Sequence, residues 1–131
     1  MIRAYSADMD AEESPELLRA GTGTLKRTGA WRVPSKLQVL SATGAVKLDF
    51  RDAILSGDQV DIEVSSGTGA VDLILPAGAT ADLSGLSQLT GHIRSAAPTQ
   101  PTPGHTHFTV HGDLGTGGVR VAYKPKLLGL F

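Results

Sequence analysis

The segment Val60-Asp61-Ile62-Glu63-Val64, then Ser65-Ser66-Gly67-Thr68-Gly69, then Ala70-Val71-Asp72-Leu73-Ile74-Leu75, carries two alternating stretches joined at a Thr-Gly dipeptide. Side chains two residues apart share one face of a strand, so each stretch reads as a strand with one buried side. Moving outward, the same arrangement recurs. Thr-Gly stands at Thr22-Gly23, Thr43-Gly44, Thr68-Gly69, Thr90-Gly91 and Thr116-Gly117, and two residues after each glycine comes an aliphatic residue: Leu25, Val46, Val71, Ile93 and Val119. The glycines are 21, 25, 22 and 26 residues apart. Thr28-Gly29 also fits, so either copy opens the series. Upstream, Leu37, Ile62 and Val110 lie seven residues before their glycines, and Val39, Val64 and Leu86 lie five before.

Apolar positions recurring at this interval indicate stacked turns that bury their inner faces against one another. With strands of four to six residues, each repeat has room for three sides. The expected fold is therefore all-β, a right-handed parallel β-helix (solenoid) of about five turns, the hand following the general rule for parallel crossovers. An antiparallel β-sandwich with Thr-Gly hairpin turns is the alternative. Glycine is expected at the corners because it accepts positive φ, and the threonines are expected to hydrogen-bond along the stack.

The chain has 131 residues, 16 glycines, seven prolines, six aromatic residues and no cysteine. Twelve Lys+Arg against thirteen Asp+Glu give a net charge of −1, which argues against nucleic acid as a partner. Neither a bilayer-spanning apolar run nor a signal-peptide layout is expected, so the reading is a cytoplasmic domain, membrane-associated only through a partner or by peripheral contact.

Three segments follow. Residues 1–21 form an acidic N-terminal arm or cap, with Ser14-Pro15-Glu16-Leu17-Leu18-Arg19-Ala20-Gly21 reading as a short helix capped by Ser14. Residues 22–123 form the solenoid, interrupted by the Pro-rich loop Ala96–Gly104. Residues 124–131 form a basic and then apolar tail, in which Leu127, Leu128, Leu130 and Phe131 are expected to cap the fold, dock on a partner or second copy, or touch a membrane surface.

Little in the sequence points to chemistry. His105, His107 and His111 are the one concentration of metal-ligating side chains, but on a strand His107 and His111 lie about 13 Å apart. No metal or cofactor site is expected, and there is no nucleophile elbow, phosphate loop or complete dinucleotide fingerprint. Asp49, Asp61, Glu63, Asp72 and Asp82 alternate with apolar residues, as on any half-exposed strand; a carbohydrate-binding or carbohydrate-cleaving β-helix using these carboxylates is the alternative function. The third residue after each repeat glycine is Lys26, Lys47, Asp72, Arg94 and Arg120. Stacked in register, these form a column that either faces an acidic partner or anionic lipid, or is neutralised by Asp72 and its neighbours.

Trp31-Arg32-Val33-Pro34, Val46-Lys47-Leu48-Asp49-Phe50-Arg51-Asp52-Ala53, Val60-Asp61-Ile62-Glu63-Val64 and Val71-Asp72-Leu73-Ile74-Leu75-Pro76-Ala77-Gly78 resemble the C-terminal domain of LiaF-like proteins, the family of the cell-wall-active antibiotics response. The resemblance spans about residues 24–122. It implies a small bactofilin-like β-solenoid with a role in bacterial envelope-stress signalling and no catalytic residues. Relatives of that kind carry transmembrane helices or a small helical domain ahead of the solenoid, where this chain has an acidic stretch. The combined expectation is a non-catalytic interaction or self-assembly scaffold, with a protein partner or itself as partner.

Overall fold

A computed structural model of the protein describes residues 16–87 and 92–124. These hold twelve strands and no helix: β1 (Glu16–Ala20), β2 (Thr24–Arg27), β3 (Arg32–Val33), β4 (Lys36–Ser41), β5 (Ala45–Asp49), β6 (Ile54–Leu55), β7 (Gln59–Ser66), β8 (Ala70–Ile74), β9 (Thr80–Ser87), β10 (His92–Ser95), β11 (His107–Asp113) and β12 (Gly118–Ala122). One five-stranded sheet runs β1-β4-β7-β11-β9, a second runs β10-β12-β8-β5-β2, and β3 pairs with β6. Every ladder is parallel, which excludes the antiparallel sandwich. Among the described residues, the later repeats add no strand to the two-stranded β3–β6 sheet.

The repeat positions are ladder partners. Leu25 pairs with Val46, Val46 with Val71, Val71 with Val119 and Val119 with Ile93. On the first sheet, Leu37 pairs with Ile62 and Ile62 with Val110. The inward residues are almost wholly buried except at the end strands, where Leu25 and Ile93 are half-buried. The aromatic rings of Trp31, Phe50 and Phe108 form a chain, with centroid separations of 5.4 and 4.9 Å.

Three expectations need correction. Glu16–Ala20 is a strand paired with β4, not part of a helix; Leu18 and Ala20 face the core while Leu17 and Arg19 do not, and this two-residue alternation outweighs the capping signal. Ser14 and Pro15 lie outside the described residues. The repeats also do not stack in chain order. The last repeat, β11 and β12, sits between the third (β7, β8) and the fourth (β9, β10). The fourth repeat thus forms one end of both sheets, and the chain returns through residues 96–106 to fill the space it skipped.

The third correction concerns the glycines. Positive φ occurs at Gly29, Gly78, Gly104, Gly112 and Gly115, so of the described Thr-Gly glycines Gly29 has it and Gly23, Gly44, Gly69 and Gly117 do not. At Gly44, Gly69 and Gly117, glycine is required by close approach, since a Cβ would overlap the carbonyl oxygen of the repeat glycine one level away: Gly23, Gly44 and Gly69 respectively. Gly23 is therefore the stacked member of the first repeat, and Gly29 is a turn residue. Backbone bonds join the levels at this corner, such as Ala45 N–H to the Gly23 carbonyl at 3.0 Å and Thr68 N–H to that of Ala42 at 2.9 Å. The buried hydroxyls of Ser41 and Ser66 donate to the carbonyls of Gly44 and Gly69 at 2.7 and 2.9 Å. Thr43, Thr68 and Thr116 are exposed; Thr116 Oγ1 donates to the Gly67 carbonyl at 3.4 Å, and no threonine bonds to another among the described residues. Thr90 and Gly91 lie outside them.

Candidate functional site

Strand alternation turns Leu25, Val46, Val71, Val119 and Ile93 toward the core and their successors outward. The outward residues are ladder partners in the order Lys26, Lys47, Asp72, Arg120, Arg94. Five strands about 4.8 Å apart make this a column about 19 Å long. Because β12 lies between β8 and β10, Asp72 separates Lys47 from Arg120, and the two arginines are direct neighbours at one end.

Charge compensation along the column is uneven. Lys47 lies near two carboxylates, since Asp72 is its ladder partner and its own charge helps depress the Asp49 pKa. Arg120 Nη1 is 3.7 Å from Asp72 Oδ1, too far for a hydrogen bond, while Nη2 donates to the Lys124 carbonyl at 3.4 Å. Arg120 Nη1 is buried without any hydrogen-bond partner. Arg94 is exposed and forms no ion pair among the described residues. The adjacent outward row reads Thr24, Ala45, Ala70, Gly118, His92, so small residues leave a hollow beside the column at its centre. Clefts on both sides meet at His92, Arg94 and Arg120. The sequence pattern singled out both arginines but missed His92, although its place two residues before Arg94 puts it on the same face.

On the outward face of the first sheet, the histidines find separate neighbours. Asp61 faces His111 at 3.0 Å, Thr80 Oγ1 bonds to His107 Nδ1 at 2.7 Å, and the His105 ring lies over Gly78. Among the described residues, no three metal-ligating groups converge. The carboxylates are engaged likewise: Glu63 accepts from Gln38 at 3.2 Å, and Asp82 accepts the Ser84 N–H at 2.9 Å, which lowers its pKa.

Asp49 has the strongest pairing. Its carboxylate receives Arg51 Nε at 3.0 and 3.2 Å, Nη2 at 2.7 Å and the Arg51 backbone N–H at 3.0 Å, and its carbonyl accepts Trp31 Nε1 at 2.9 Å. The hydrogen bonds from Arg51 hold the Asp49 carboxyl below its ordinary range despite opposing burial. A depressed folded-state pKa contributes stability above the unfolded value, and that contribution is lost as pH falls through the folded value. Asp49→Asn should therefore lower the urea midpoint at about pH 7 and converge with the parent at about pH 2. An equal deficit at both pH values would show that charge pairing is not the source.

The ends of the sheets differ. Beyond β9, the Ala81 N–H donates to the Pro98 carbonyl at 2.9 Å, Ala97 is buried in the core, and the Tyr123 hydroxyl reaches the Ala79 carbonyl at 2.6 Å. The Pro-rich loop, expected to be an exposed excursion, thus covers an outer strand edge while most of its residues remain exposed. At the opposite end, the outer edges of β1 and β2 have no strand partner among the described residues, and Leu17 is 46% exposed. Leu127, Leu128, Leu130 and Phe131 lie outside the described residues. Among the described residues, no helix is long and apolar enough to cross a membrane.

No protein-family profile matches the chain. Two uncharacterized proteins from two strains of Mycobacterium tuberculosis are similar to it, 33% and 32% identical over 110 residues, an alignment covering 84% of this chain and 54% of theirs. The chain thus spans about half the length of the curated relatives it matches. No solved structure matches it.

Proposed function

We propose that the stacked repeats form a right-handed β-solenoid of about five turns that works as a non-catalytic interaction and self-assembly domain. The observation carrying this reading is the asymmetry of the ends: a loop occupies the β9 edge, whereas β1 and β2 end the two sheets without a strand partner among the described residues. Unpaired strand edges are templates for pairing with another chain. At the fourth-repeat end β9 is covered and the four-residue β10 alone is bare among the described residues, whereas both strands are bare at the β1–β2 end. Pairing through that end favours a closed two-fold dimer over a filament, which needs two complementary ends. The LiaF-like motifs add envelope-stress signalling as the setting for this role.

Ala45 donates to the Gly23 carbonyl, so strand alternation turns the Lys26 N–H toward the outer edge of β2. Lys26→Pro removes that donor and leaves the β5 ladder intact. Light scattering across a hundredfold concentration range should show a monomer–dimer equilibrium, weakened about tenfold or more in Lys26→Pro. Arg19, Lys26 and Arg27 would repel across a two-fold, so added salt should strengthen the dimer. A strict monomer at every concentration, or mass growing past the dimer, would overturn the closed-dimer reading.

A further inference from the structure

We infer that His92, Arg94 and Arg120 form a binding site for a phosphate group at the β10–β12 end of the charged column. Arg94 and Arg120 are direct ladder partners, so two permanently charged guanidinium groups leave one face on neighbouring strands. Like charges placed opposite each other are destabilising unless something lies between them. Among the described residues, the one carboxylate in ion-pair reach is Asp72, which lies on the far side of Arg120, at 3.7 Å and without a hydrogen bond.

Arg51 provides the internal contrast. Its guanidinium is clamped by Asp49 through several short hydrogen bonds, leaving it little capacity for another anion. Arg120 has a buried nitrogen with no hydrogen bond and one long bond to a carbonyl, and Arg94 has no ion-pair partner among the described residues. Planar guanidinium donors match the oxygens of a tetrahedral phosphate, and two of them on adjacent strands can hold two oxygens together. The surroundings suit such a group. Gly118, with no side chain, and Ala70 leave the hollow, while His92 adds a ring donor at its rim. The lysine end of the column is a poorer candidate because Asp49 and Asp72 both offset Lys47.

This site is at the opposite end of the second sheet from β2, so it stands or falls separately from edge pairing. A free phosphate and a phospholipid headgroup offer the same chemistry. The test is an amide-shift titration of the full chain with sodium phosphate, at constant ionic strength and against sodium chloride. Saturable shifts should cluster at residues 92–95 and 118–121 and weaken about tenfold or more in Arg94→Gln, while Lys26→Gln retains them. Arg94 is exposed, so its variant should fold; Arg120→Gln, checked by thermal melting, should lose binding too. Co-sedimentation with phosphatidylglycerol vesicles, against phosphatidylcholine, separates the sources: binding there that needs Arg94 identifies a lipid headgroup, and phosphate binding without it identifies a free phosphate. Shifts equal to those with chloride, or binding indifferent to both arginines, would overturn the site.

Discussion

Phe108→Ala is expected to cost about 3–5 kcal/mol, the range for deleting a buried aromatic ring. Phe108 is fully buried, its ring 4.9 Å from that of Phe50, which in turn packs against Trp31. Its ladder partners are Val60 in β7 and Ala81 in β9. The small Ala81 gives the ring room and offers little to refill the space after truncation. The position matters because β11 holds two ladders at once, linking the first three repeats to the fourth. A loss of this size is a large part of the total stability of an ordinary domain. It corresponds to a drop in melting temperature on the order of 10–20 °C. Thermal melts of Phe108→Ala and Phe108→Leu provide the check, with Leu expected to lose clearly less. Near-parental melting of the alanine variant would mean that the ring does not hold the repeats together.

Gly69→Val is expected to be the second severe lesion. Its Cβ would overlap the Gly44 carbonyl oxygen and the Ser41 hydroxyl, and Gly69 also presents its own carbonyl to the Gly117 position on the other side. Backbone cannot swing away as a flexible side chain does, so the cost should reach or exceed the top of the ~1–3 kcal/mol range for overpacking. Gly57 is the internal control, because a Cβ there meets nothing within 4 Å. Gly57→Val should stay within about 0.5 kcal/mol of the parent. Urea unfolding of both variants checks the difference, and equal midpoints would refute stacking by close approach.

These predictions draw on different information. Placing Gly69 in a stack required only the Thr-Gly spacing, but the reason for glycine was wrong at sequence level. Close approach involves an atom 25 residues away, Gly44 O, which no local φ preference reveals. The core role of Phe108 was partly legible from its alternation with Val110. Its place between Val60 and Ala81 was not, because that depends on which repeat lies beside which. The charged column was legible as a set, yet its order changed from Asp72–Arg94–Arg120 to Asp72–Arg120–Arg94. The two arginines stand side by side at the end of the sheet in either order, and the exchange puts Asp72 next to Arg120 instead of Arg94.

Over the repeats, the sequence by itself determined which positions are equivalent and which side chains face inward, apart from Asp49, which was read as outward and is buried. Strand alternation has a fixed period of two, and equivalent corners must carry similar residues to stack. Tertiary structure decided the neighbours. An edge of β8 offers the same backbone donors and acceptors to β10 as to β12, so the local pattern cannot choose between them. The choice is made by non-local fit. Gly112, at φ 124°, stands beside Val64, where a Cβ would overlap the Val64 carbonyl oxygen, and Gly117 stacks on Gly69. Tertiary pairing also made Glu16–Ala20 a strand, since burying Leu18 and Ala20 beside β4 satisfies backbone and apolar face together, which one isolated helical turn cannot do.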